Sequence, residues 1–83
     1  MTISQAVANR INELLKEKGL TRYKLGQKAC LSHDTIKSII KGKAKGVNLK
    51  TIIAIADGFD MTATQFLASD LFLYDNLEMW FFL

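Results

Sequence analysis

The side chains best suited to chemistry in this chain are cationic, and they lie in one half of it. All eleven Lys and Arg residues fall between Arg10 and Lys50, beside only three acids, so this part carries 11 − 3 = +8. Residues 51–83 hold five acids and no Lys or Arg, which gives −5 and a total of +3. Such segregation indicates a polyanion-binding face. The alternative is that the cations only solvate helix surfaces.

Patterns typical of enzymes and metal sites are missing from the sequence. There is one His and one Cys, and there is no Gly-rich phosphate loop, H-E-x-x-H or C-x-x-C spacing. We therefore expect no enzymatic activity, no cofactor, no metal site and no small-molecule substrate. A reactive cysteine needs a lowered pKa and exposure, so Cys30 is interpreted as structural or incidental. A single cysteine also fits a reducing compartment.

Apolar residues recur at helical spacing along most of the 83 residues, and there is no Pro. This periodicity predicts an all-α single domain with helices over residues 4–18, 21–29, 32–41 and 49–57. A fifth helix begins at the T-x-x-Q capping box of residues 62–65. Thr2 or Ser4 is expected to cap the first helix. Further expected N-caps and C-terminal glycines are Thr21, Ser32, Asn48, Gly19, Gly42 and Gly58.

The second and third predicted helices are separated by a turn of a few residues, which makes a helix-turn-helix. In that motif the second helix can lie in a DNA major groove, with residues near its start reading base edges. Ile36, Ile39 and Ile40 are expected to face inward. The outward residues expected to read bases are His33, Asp34, Lys37 and Ser38. For Asp34, a favourable charge at the helix N-terminus is the preferred alternative to a contact with cytosine.

The start of the second helix is expected to face the DNA backbone, because its free N–H groups favour anions. Thr21, Arg22 and Tyr23 are therefore candidate phosphate contacts, although Tyr23 serves equally well as a partly buried spacer. Arg10 on the first helix either reaches a phosphate or is solvated. Lys24 and Lys28 are interpreted as plain surface residues.

The spaced pattern of this region resembles the phage-repressor (Cro/cI-type) helix-turn-helix family. The residues that carry the resemblance are Leu20-Thr21, Leu25, Ala29, Leu31-Ser32, Thr35-Ile36, Ile39 and Gly42-Lys43. The likeness extends over roughly residues 3 to 69 and implies a compact five-helix, lambda-repressor-like DNA-binding domain, with a domain boundary expected after residue 69. The chain departs from the family at Gly26, where Ala is common, and at Cys30, where Gly is common.

The resemblance also implies which side chains contact the DNA backbone. In the family the position of Arg22 often touches the backbone, and that of Thr35 faces the backbone or a thymine methyl group. The loop of residues 42–48 meets phosphates, which makes Lys43 and Lys45 candidates, and Lys41 at the end of the recognition helix joins them.

The last fourteen residues, DLFLYDNLEMWFFL, are mostly apolar or aromatic. A small bundle cannot bury them all, and patches of this kind usually mark an interface. Helical spacing places Leu73, Leu77, Trp80 and Phe81 on one face, which predicts a sixth helix that forms a homodimer seam. The alternative is that the tail folds back on its own core. A membrane-surface role is disfavoured, because the tail is acidic and lacks Lys and Arg.

These features together predict a sequence-specific, double-stranded-DNA-binding transcriptional regulator, a repressor that acts as a homodimer on a palindromic operator. The expected location is the cytoplasm, bacterial or phage-encoded and associated with the nucleoid. The alternative is a protein-interaction module of the same fold, such as a toxin-binding antitoxin, with weak or no specific DNA binding.

Overall fold

The computed structural model describes residues 1–42, 47–73 and 76–77, and every regular element in these ranges is helical. Five α-helices are followed by a single 3₁₀ turn, Asp70–Phe72. The helices are α1 (Ile3–Lys18), α2 (Arg22–Ala29), α3 (His33–Ile40), α4 (Leu49–Gly58) and α5 (Ala63–Leu67). The predicted all-α, five-helix fold is confirmed, and the ends of the first four helices lie within one residue of their predicted positions.

Each helix begins after a residue whose side-chain oxygen accepts a hydrogen bond from the third backbone N–H of the helix. These bonds satisfy donors that have no partner within the helix. Thr2, rather than Ser4, caps α1, and the other caps are Thr21, Ser32, Asn48 and Thr62, as predicted. The predicted capping box of α5 is confirmed, and α1 has a second one, in which Thr2 N–H donates to Gln5 Oε1 at 2.9 Å.

The core is aliphatic except for two phenylalanines. Its buried members are Val7, Ile11, Leu14, Leu15, Leu25, Ile36, Ile39, Ile40, Ile52, Ile55, Ala56, Phe59 and Phe66. Leu31 in the turn and Met61 are partly buried and pack against this cluster. Three large apolar residues at helical spacing in α4 and α5 are not part of it: Leu49, Ile53 and Leu67 are 64%, 51% and 38% exposed. Apolar residues lie around a wider part of the circumference of α4 than the part that α2 and α5 bury.

Gly58 allows α2 and α4 to approach each other closely. A Cβ at this position would lie 3.1 Å from Ala29 Cβ and 3.2 Å from the Ala29 backbone nitrogen. Helix α4 does end at Gly58, as predicted, but the left-handed residue that follows it is Asp60, with φ 58°. The glycine is therefore required by packing and not by the backbone turn.

Arg10 has a role that neither sequence alternative anticipated, and both alternatives were wrong. The residue is only 9% exposed. Its Nε donates to the Phe66 carbonyl oxygen at 2.7 Å and its Nη2 to the Gln65 carbonyl oxygen at 3.1 Å. Its Nη1 lies 2.6 Å from Glu13 Oε1. The guanidinium therefore supplies a donor to the Phe66 carbonyl oxygen, one of those at the C-terminal end of α5 that have no partner within the helix. The Gln65 carbonyl oxygen accepts from the Ala68 backbone N–H as well.

The described start of the tail packs against α1 instead of opening a sixth α-helix. Phe72 is partly buried against the core, with its ring centroid 6.1 Å from that of Phe66. Leu73 is extended (φ −66°, ψ 137°), so the helix predicted from this residue does not begin here. This part of the tail agrees with the alternative in which the tail folds back. Trp80 and Phe81 lie outside the described residues, and the boundary after residue 69 stays a prediction.

We expect Arg10→Ala to destabilise the fold by about 2–3 kcal/mol, because the Phe66 carbonyl oxygen loses its buried donor and the packed arginine stem is removed. Urea unfolding followed by circular dichroism measures the change. Glu13→Gln is the matched control, since Glu13 is half exposed and the amide can still accept the hydrogen bond. A destabilisation below about 0.5 kcal/mol for Arg10→Ala would contradict this assignment.

The ion pair between Lys28 and Asp60 predicts a pH-dependent contribution to stability. Lys28 Nζ lies 2.7 Å from Asp60 Oδ2, and this hydrogen bond, with the lysine charge, lowers the pKa of Asp60 below its ordinary value. A lowered folded-state pKa stabilises the fold above the unfolded pKa, and this contribution is lost as pH falls through the folded pKa.

Asp60→Asn removes the charge while keeping a residue that tolerates positive φ. The variant should unfold at lower urea than the wild type at neutral pH. The difference should begin to shrink as pH falls below about 4 and should vanish only below the lowered pKa of Asp60. The control is Asp57→Asn, since Asp57 is exposed and makes no ion pair within the described residues. If the difference in stability between Asp60→Asn and the wild type persisted unchanged at low pH, it would come from the backbone and not from the ion pair.

Candidate nucleic-acid interface

The recognition helix α3 divides cleanly into an inner and an outer side. Ile36, Ile39 and Ile40 are buried in the core. Every other residue from the cap to the end is exposed, including the polar set His33, Asp34, Thr35, Lys37, Ser38 and Lys41. The predicted orientation of α3 is therefore confirmed. Which of these side chains contact DNA stays a prediction.

The first turn of α3 is fixed by its cap. Ser32 Oγ accepts from the Thr35 backbone N–H at 3.2 Å and lies 2.8 Å from Thr35 Oγ1. Asp34 lies in this turn, exposed, with no hydrogen bond or ion pair to any residue that the structure describes. An acid in the first turn interacts favourably with the partial positive charge of the helix N-terminus, and Asp34 is placed to do this.

The start of α2 is also exposed and held by its cap. Thr21 Oγ1 accepts from the Lys24 backbone N–H at 3.1 Å, which leaves its hydroxyl hydrogen free to be donated. Arg22 is exposed, and Tyr23 is 66% exposed. Tyr23 is thus not the partly buried spacer that the sequence offered as an alternative. Its hydroxyl accepts from Gln27 Nε2 at 3.1 Å.

A shallow depression joins the starts of the two helices. Its lining includes Arg22, Tyr23 and Gly26 from α2, Leu31 from the turn and His33 from α3. Residues predicted separately as backbone contacts and as a base contact therefore lie around one surface feature. A guanidinium, a phenol and an imidazole together offer donors for phosphate oxygens and base edges.

Gln27 belongs to this depression and was missed by the sequence reasoning. An exposed amide on α2 carries no periodic or charge signal that would single it out. Its spacing of four from Tyr23 was the available clue, since residues four apart share a helix face. Gln27 donates to the tyrosine hydroxyl, so the two side chains lie together in the depression beside Arg22.

The two candidate phosphate ligands of the loop, Lys43 and Lys45, lie outside the described residues. The residue before them is placed: Gly42 has φ 69°, and a Cβ there would lie 3.7 Å from the Gln5 Cα. The loop therefore leaves α3 close to the first turns of α1. Lys28, interpreted as a plain surface residue, is instead paired with Asp60.

Cys30 contributes its backbone to the turn of the motif. It holds φ 57° at the end of α2, and the next residue, Leu31, donates its N–H to the Gly26 carbonyl oxygen at 3.0 Å. The thiol is exposed. Within the described residues, no group of three His, Cys, Asp or Glu side chains is arranged to hold a metal ion. No helix in that part of the chain is long and apolar enough to cross a membrane.

Comparison with known sequences places this geometry in a family. A sequence model of the Cro/C1-type HTH DNA-binding domain matches residues 10–68, which include the last turns of α1 and all of α2 to α5. The chain belongs to the Cro/C1-type helix-turn-helix family. Searches of curated proteins and of solved structures found no match. The predicted family is confirmed, and with it the predicted class of function, DNA binding.

For this Cro/C1-type domain, we expect two lysines of α3 to respond differently to substitution. Lys37→Ala should relax preference at one base pair by roughly 1–3 kcal/mol, because a lysine facing guanine discriminates between bases. Lys41→Ala should weaken binding to all duplexes alike, because a phosphate contact carries no sequence information. Competition between the preferred duplex and its single-base-pair variants measures both. A uniform weakening for Lys37→Ala would place Lys37 on the backbone.

Proposed function

We propose that the protein is a sequence-specific transcriptional regulator that binds double-stranded DNA with α3 in the major groove. The observation that carries the proposal is the division of α3, whose three isoleucines are buried while its hydrogen-bonding side chains are all exposed. In the sequence this helix falls within the basic half of the chain, and Arg22 lines the same depression as His33, the first residue of the helix. Family membership supplies the class of ligand.

In this proposal affinity and specificity come from different residues. The cations neutralise phosphates and release counterions, which gives binding that depends on salt but not on sequence. The residues proposed for the backbone are Thr21, Arg22, Tyr23, Thr35, Lys41, Lys43 and Lys45. Base edges are read by His33, Lys37 and Ser38, with Asp34 either accepting from a cytosine or acting through the helix N-terminus.

We further propose that the regulator is a repressor that binds a palindromic operator as a homodimer. A DNA-binding domain that occupies a promoter blocks access to it, so occlusion of a promoter is the simplest output. Two copies related by a two-fold axis read two half-sites about one helical turn apart. In the tail, Leu73 is 55% exposed and available for a partner, whereas Phe72 is occupied by the core.

The alternative function, a protein-interaction module such as an antitoxin, is favoured by one observation. Leu49, Ile53 and Leu73 are large apolar residues that are more than half exposed. Such residues suit a protein partner more than DNA. The slope of log affinity against log salt separates the two functions, because only phosphate contacts give a steep linear fall.

The experiment that tests the proposed function is selection of binding sites from random 30-base-pair duplexes at low and moderate salt. A palindrome with half-sites about one helical turn apart is expected. A single unpaired half-site would keep the DNA function and remove the dimer. If no sequence is enriched and binding disappears at moderate salt, the proposed function is wrong.

Replacing Lys43 and Lys45 together by Ala should weaken binding to all sequences and flatten the salt slope by up to about 2 units, roughly one for each phosphate that the variant no longer neutralises. The matched control is Lys16→Ala with Lys18→Ala, which removes the same charge from exposed positions in the last turn of α1. Fluorescence anisotropy titrations at several salt concentrations give both slopes. Equal slopes for the two double variants would show that the loop makes no phosphate contact.

A further inference from the structure

We infer that the exposed face of α4 is the surface with which a second copy of this chain pairs, in an antiparallel arrangement about a two-fold axis. This deepens the proposed function and rests on it, since we place the pairing between two copies bound to neighbouring half-sites. The face consists of Leu49, Lys50, Ile53 and Asp57, and we refer to it as the α4 face.

The first observation is an aliphatic pair that the fold leaves uncovered. Leu49 and Ile53 are four residues apart, so they are neighbours on the surface of α4, and they are 64% and 51% exposed. The opposite side of the helix is occupied, with Ile52, Ile55 and Ala56 buried. The helix packs on α2 and α5. The α4 face is therefore directed away from the rest of the domain.

The second observation is a pair of opposite charges that flanks the aliphatic residues. Lys50 and Asp57 are both exposed, and they are seven residues, or about two helical turns, apart. Successive residues turn by about 100° around a helix, so the four members of the α4 face lie within an arc of roughly 100°. Neither charged residue has an ion-pair partner within the described part of the chain.

A two-fold axis converts this arrangement into a self-complementary surface. When two α4 helices cross antiparallel with the axis between positions 53 and 54, each Lys50 lies opposite Asp57 of the partner subunit. The Ile53 side chains then lie beside the axis. Because the contact is isologous, the same ion pair forms twice. A parallel arrangement would instead place like charges together.

The small area of the α4 face indicates under which conditions two copies of the chain pair. A stable interface buries roughly 800 Å² on each partner, and two half-exposed aliphatic side chains supply only part of that area. Free protein should therefore be largely monomeric at micromolar concentration. Two copies on neighbouring half-sites meet at an effective concentration that is roughly millimolar or higher, so the contact would appear as cooperative binding to the two half-sites.

Disulfide trapping tests the proposed contact directly. Ile53→Cys is introduced with Cys30→Ser, which removes the natural thiol, and the full chain is oxidised on the selected two-half-site duplex. Asn12→Cys in the same background is the matched control, because Asn12 is an exposed residue of α1. We expect Ile53→Cys to link at least about tenfold faster, because two Ile53 side chains flank the axis. Equal rates with DNA binding intact would overturn the inference.

Two further experiments distinguish pairing through the α4 face from pairing through the tail, and failure of this inference from failure of the proposed function. Removing residues 78–83 keeps Phe72 on the core, and linking at position 53 should then be unchanged. Failure of this truncated chain to link would assign the seam to the tail and overturn the inference. If no DNA sequence is selected but concentrated free protein still links at position 53, the α4 pairing stands and the proposed DNA function fails.

A charge swap tests the antiparallel register. Lys50→Glu and Asp57→Lys each place like charges together, and each should lower cooperativity about three- to tenfold for two exposed pairs. Cooperativity is taken as two-half-site binding relative to single-half-site binding, so a change in phosphate attraction cancels. The double variant restores both pairs in an isologous contact, and it should return cooperativity to within about twofold of wild type. Additive decreases in cooperativity would overturn the register.

Discussion

The recognition helix is stable only because three isoleucines are buried beneath it. An isolated helix of eight residues is far below the length at which helices persist in water, and α3 has eight. Burial of Ile36, Ile39 and Ile40 supplies the missing stability. The same burial fixes the rotation of the helix about its axis, so the polar residues between the isoleucines face outward. Packing in the core therefore determines which side chains are presented to a ligand.

The surrounding helices are held by contacts that leave the ligand-facing side unoccupied. Gly58 lets α4 approach α2, so the helix that opens the motif is supported from behind. Arg10 joins α1 to the end of α5, where three of its nitrogens find oxygen partners. Phe72 then extends the core toward α1. The exposed polar side of α2 and α3 takes part in none of these contacts.

The elements that local sequence determines were predicted well. Helix positions follow from periodicity and from hydroxyl or amide caps, which act within three or four residues of their own position. The outward set on α3 followed from its three isoleucines. Residues whose environment depends on distant partners were not predictable in this way. Arg10 bonds to carbonyls fifty-five and fifty-six residues away, and Lys28 pairs with a residue thirty-two positions away. Leu49 and Ile53 fit a core pattern, but the sequence does not state how much of α4 its neighbours cover.

The turn of the motif is not built for maximal stability. Cys30 holds a left-handed backbone conformation that costs a side-chain-bearing residue on the order of 1–2 kcal/mol, and glycine would relieve part of this, offset by its greater freedom in the unfolded chain. In a domain with such a strained position, replacing that one residue can compensate for a loss of stability elsewhere. A substitution on α3 that lowers stability can be balanced by one replacement in the turn. The outward-facing residues of α3 can therefore diverge without loss of the fold.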